Sequence, residues 1–155
     1  MTTGAAIDGA EELLAGELHS GRRAGARLDT EGAWRAFLRF ARRPFDVPDA
    51  PDADGLLFQY GTHAFDGPPM FTLDLTRQFG ICDDDGDHDH FVQVHCELRY
   101  APGPALDALG SFGSWFFHDS GDHLDAWARA LTERPAWAVL GGLEPAGVRV
   151  YAERV

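Results

Sequence analysis

Residues 70–100 read MFTLDLTRQFGICDDDGDHDHFVQVHCELRY, and two runs inside this stretch decide the fold. In the first, Phe71, Leu73, Leu75 and Phe79 alternate with Thr72, Asp74, Thr76 and Gln78. In the second, Val92, Val94, Cys96, Leu98 and Tyr100 alternate with Gln93, His95, Glu97 and Arg99. A period of two is what a strand needs to bury one face and wet the other. The acidic segment from Cys82 to His90 joins the two runs, so the stretch predicts a β-hairpin at the centre of an antiparallel sheet.

Toward the amino terminus, Leu56, Phe58 and Tyr60 alternate with Leu57 and Gln59 as an earlier strand, reached across a proline- and aspartate-rich loop from Phe45 to Gly55 in which no periodic element can form. Before that loop lies the clearest helix. Asp29 and Thr30 offer its cap, Trp34, Phe37, Leu38 and Ala41 fall at helical spacing, and Pro44 ends it. The stretch 1–20 is a weaker helical pattern, with Leu14 and Leu18 on one stripe with Ala10; Gly4, Gly9 and Gly16 each weaken it by about 1 kcal/mol relative to Ala. It is expected to dock loosely, followed by a basic linker over 21–28. Beyond the hairpin, 113–119 reads as an aromatic strand. Ser120 then caps a helix with Leu124, Trp127, Ala128 and Leu131 on its apolar stripe, Pro135 breaks it before a short helix over 136–140, and 148–153 alternates as a closing strand. Together these predict a single α+β domain over 1–155, an antiparallel sheet of four to five strands with helices on one face.

The 155 residues suffice to bury a sizeable core, and with 45% hydrophobic content, eleven Phe and four Trp that core is expected to be aromatic. The net charge of −12 argues against a sequence-independent grip on nucleic acid, which depends on cationic groups displacing counterions from phosphates. It suits a protein partner with a basic surface instead. All thirteen cations are Arg, a bias expected of a high-GC bacterial coding sequence. No secretory-type leader pattern opens the chain and no run nears the ~18 apolar residues of a membrane span, so the expectation is a cytoplasmic protein without a membrane role. Of the two cysteines, Cys96 falls on the apolar face of its strand and reads as a small buried hydrophobe. A bond to Cys82 would need the hairpin centred near Asp89.

Three stretches could carry chemistry. In the acidic tip, Cys82, His88 and His90, with His95 from the strand, could gather around zinc. The tip is not an EF-hand loop, because Gly86 at the glycine position puts Ile81 and Val92 where the first and last ligands belong. Its plainer reading is a solvated loop in which Asp83, Asp84, Asp85, Asp87 and Asp89 repel one another or meet a basic partner. On the polar face of the sheet, Asp74 and Thr76 could neighbour His95, Glu97 and Arg99, giving either an acid/base pair or ordinary cross-strand contacts. The run His118, Asp119, Ser120 holds the residue types of a hydrolase triad, but adjacent residues do not converge in triad geometry and no nucleophile elbow surrounds Ser120. Seven arginines between Arg22 and Arg43 form the basic patch, which could grip a phosphate or an acidic partner but is expected instead to pair with Asp46, Asp49, Asp52 and Asp54.

No phosphate loop, CxxC pair, HExxH or dinucleotide fingerprint occurs. With the apolar stripes used in one core and no catalytic constellation beside it, the sequence favours a small, acidic, soluble, non-catalytic protein-binding or inhibitory module without a cofactor. Bacterial immunity proteins share this physical character, though no motif links them to this chain. The rival is a metal-dependent enzyme or sensor using zinc at residues 82–90 with His95. A homodimer through the open sheet face is a third possibility.

Overall fold

The computed structural model describes residues 3–23, 28–42, 55–63, 69–81, 90–109, 112–118 and 120–154. It contains helices α1 (Thr3–Arg23), α2 (Thr30–Ala41), α3 (Pro104–Asp107), α4 (Ser120–Thr132) and α5 (Pro135–Leu140). Its strands are β1 (Gly55–His63), β2 (Met70–Ile81), β3 (His90–Tyr100), β4 (Phe112–His118) and β5 (Gly147–Arg154). The strands form one antiparallel sheet in the order β4-β1-β2-β3-β5, so the protein has the expected α+β fold.

The central hairpin sets the register of everything else. Phe71 pairs with Tyr100, Leu75 with Cys96 and Ile81 with His90, which puts Phe71, Leu73, Leu75, Val92, Val94, Cys96, Leu98 and Tyr100 on one side. That side is buried: Leu73, Leu75, Val94, Cys96 and Leu98 are each at most 1% exposed. Cys96 is free and buried, whereas Cys82 lies outside the described residues.

Helix α2 lies across this face because its stripe matches it. Trp34, Phe37 and Phe40 are all but fully buried. The Trp34 ring meets Phe58 edge-on at 5.3 Å and Trp137 at 5.2 Å, geometries that aromatic quadrupoles prefer. The start of the helix is fixed on several sides. Asp29 accepts from the Gly32 amide at 2.7 Å, as an N-cap should. The amides of Thr30 and Glu31 donate to the carbonyls of Leu143 and Gly141, and the buried Thr30 hydroxyl lies 2.6 Å from the Tyr100 hydroxyl. At its other end, Arg77 points inward from β2 and donates to the Phe40 carbonyl at 2.9 Å.

Helix α1 departs from expectation. It runs 21 residues, through Gly21–Arg23 where a linker was expected, and it is not loosely docked: Ala10, Leu14 and Leu18 are 3%, 0% and 6% exposed. Burial of that stripe against α2 and β5 outweighs the helix cost of Gly9 and Gly16, around which there is open space. At the opposite edge, Gly113 of β4 faces Tyr60 of β1. A Cβ at Gly113 would lie 2.4 Å from the Tyr60 ring, so the absence of a side chain lets the phenol lie flat over β4 and meet Trp115. All these helix contacts fall on the inner face of the sheet.

Candidate functional site

The outer face carries the residues that alternate with the core: Leu57 and Gln59 from β1, Asp74 and Thr76 from β2, His95, Glu97 and Arg99 from β3, Ser114 from β4, and Arg149, Tyr151 and Glu153 from β5. At its centre sits His95, 5% exposed. Its register partners are Thr76 on one side and Tyr151 on the other, and the rings of His95 and Tyr151 stack at 4.4 Å and 9°. The Arg149 guanidinium also lies over Tyr151, 4.5 Å from the ring centre.

Both imidazole nitrogens are engaged. Nδ1 lies 3.0 Å from each Asp74 oxygen and 2.9 Å from Thr76 Oγ1, while Nε2 lies 3.0 Å from Glu153 Oε1. The Thr76 hydroxyl donates to Asp74 at 2.8 Å. With an acceptor carboxylate at each end, the ring satisfies both only as the doubly protonated cation. Burial disfavours that charge, but the hydrogen bonds and charges of Asp74 and Glu153 together outweigh it and hold His95 above the ordinary histidine value. Nearby, burial first and the Asp74, Glu97 and Glu153 charges second push the Tyr151 phenol up to about 12, so it stays protonated at neutral pH. Behind the face, burial with a smaller contribution from Asp74 pushes the Cys96 thiol up to about 12, far from a reactive thiolate.

The residues singled out in the sequence therefore fare differently. Asp74, Thr76, His95, Glu97 and Arg99 do share one face, as their alternation implies. The pairings are specific: His95 takes Asp74 and Thr76, whereas Glu97 accepts from Arg99 at 2.7 Å. Glu153, Tyr151 and Arg149 complete the cluster, and the sequence reading missed them. The alternation in β5 was visible, but not that the last strand pairs with β3. Cys82, Asp83, Asp84, Asp85, Asp87, His88 and Asp89 lie outside the described residues, as does the side chain of His90. Along β3 the backbone runs five residue steps, about 17 Å, from position 90 to position 95. Among the described residues no group of three or more His, Cys, Asp or Glu is placed to hold a metal.

His118 ends β4 and Ser120 opens α4. Ser120 is thus the first residue of the helix rather than its cap; the cap position is 119, outside the described residues. The arginines of α2 do pair within the chain, but with acids of helices: Arg39 with Glu17 at 2.7 Å, Arg35 with Glu31 at 3.5 Å, and Arg42 with Asp125. The expected acids of loop 43–54 lie outside the described residues.

Compared with protein-family models, curated proteins and solved structures, the chain matches none. Among the described residues no helix is long and apolar enough to cross a membrane.

Proposed function

We propose that this chain is a non-catalytic binding module that acts on a protein partner with a basic surface through the outer face of its sheet. The observation that carries this reading is the division of the two faces: the described helices contact the inner one, while Ser114, Arg99, Arg149 and Glu153 stand exposed on the other. Antiparallel sheets tolerate one wet face, and this one presents Tyr151, Arg99 and Arg149, residue types enriched at interfaces. The one histidine among its described side chains is not poised for acid/base work, because both ring nitrogens are occupied by carboxylates of its own fold.

The sign of the partner follows from the whole molecule. The described charges on the face are balanced, three carboxylates (Asp74, Glu97, Glu153) against Arg99, Arg149 and the His95 cation. The excess acid behind the net charge of −12 is therefore carried elsewhere, and it would steer a basic partner by its long-range field.

Photocross-linking in the native host tests this. A photoreactive residue at Ser114, on the outer face, is expected to trap one discrete basic protein. The same residue at Ala130, exposed on α4, is expected to trap none. Trapping from Ala130 alone, or from neither position while the purified chain turns over a substrate, overturns the reading.

A further inference from the structure

We propose that His95 is a pH-operated clasp, fastening the edge strand β5 to the central hairpin only while both of its ring nitrogens carry protons. The inference rests on the position of the ring and is independent of what the face binds.

His95 belongs to β3, and its two nitrogens reach in opposite directions: Nδ1 to Asp74 on β2, Nε2 to Glu153 on β5. Among the described residues β5 is an edge strand paired with β3, so the contact through Nε2 is a side-chain tie added to its ladder. A neutral imidazole has one N–H. It can keep Asp74 or Glu153, and the other nitrogen then turns a lone pair on a carboxylate at 3.0 Å.

Which contact yields is decided by surroundings. The Asp74 side chain is 18% exposed and also receives the Thr76 hydroxyl, whereas the Glu153 side chain is 50% exposed. Glu153 can swing into water at little cost; Asp74 would leave a carboxylate short of donors in a crowded site. Loss of the second proton therefore releases Glu153 and leaves the end of β5 held by its backbone ladder without the side-chain tie.

The remaining groups facing the ring do not replace the tie. From β5, Tyr151 stacks on the ring and Arg149 lies beyond it over the phenol. On β3 itself, Glu97 is held by Arg99, and Gln93 donates to Gln78 at 2.9 Å. Leu57 and Gln59 of β1 carry no charge. The net upward shift of His95 places the transition above the ordinary histidine value.

The test combines long-range nitrogen spectra of the histidine rings with amide protection factors for 148–153, followed across pH in the wild-type chain and in Glu153→Gln. A half-exposed surface position makes this variant safe for folding. In the wild type, both His95 nitrogens should be protonated at pH 6.5. As the ring loses its proton, protection in β5 should fall by up to about fivefold, the size expected of one half-exposed ion pair. In Glu153→Gln, His95 should titrate lower and β5 protection should already be reduced and flat with pH. A single neutral tautomer at pH 6.5, protection unchanged through the titration, or the same fall in Glu153→Gln would each overturn the clasp.

Discussion

A buried imidazolium stabilises a fold only over the range in which it keeps its proton. Because the folded-state value of His95 lies above its ordinary value near 6.5, its contribution is complete below about pH 6.5 and is lost as pH rises through the folded value. Thermal midpoints taken from pH 6 to 9 should therefore decline more steeply for the wild type than for His95→Gln. Equal slopes would mean that the ring is neutral in the fold. Cys96 supplies a second test at this scale: its thiol is 0% exposed and pushed up to about 12, so a thiol reagent should modify it at the rate of unfolding, not at the rate of a free cysteine. Gly113 supplies a third. Gly113→Ala places a methyl group 2.4 Å from the Tyr60 ring and should cost about 1–3 kcal/mol by denaturant titration, the usual range for overpacking.

At the scale of elements, the strands and α2 were legible from their residues, and so was α1 as a helix, but not its full length or its tight docking. The alternation in β2 and β3 identifies the hairpin because one-residue slips would turn Leu73 or Val94 to water. The stripe of Trp34, Phe37 and Ala41 does the same for α2. For α1 the three glycines argued for a weak, loosely held helix, and local propensity was overruled by tertiary burial of Leu14 and Leu18. Leu14→Ala separates the two descriptions: the docked helix predicts a loss of about 2–5 kcal/mol, the range for a fully buried leucine, and a loosely attached one predicts almost none. At the start of α2, Asp29→Ala should cost about 1 kcal/mol by removing the acceptor for the Gly32 amide. The candidate site was half legible for a related reason. Asp74, Thr76 and His95 could be grouped because their two strands adjoin in sequence. Glu153 could not, since its nearness to His95 comes from a pairing across 58 residues of chain, which local pattern does not encode.

At the scale of the whole molecule, the described residues build one aromatic core, and the described helices leave one sheet face uncovered. If that face binds a protein and the chain needs no metal, zinc or calcium added alone should leave the melting temperature unmoved; a rise would bring back the zinc reading of residues 82–90, by linkage of binding to folding. The net charge of −12 further predicts that association with a basic partner slows as salt rises from about 0.05 to 0.3 M, because the screening length shortens from about 14 Å to about 6 Å. The most direct test of the central claim is the dissociation constant of the cross-linked partner, measured for the wild type, for Ser114→Arg on the outer face and for Ala130→Arg on α4. The account predicts affinity weakened by about tenfold or more, roughly 1.4 kcal/mol, for Ser114→Arg and unchanged for Ala130→Arg. The reverse pattern, with Ala130→Arg abolishing binding and Ser114→Arg without effect, would contradict it.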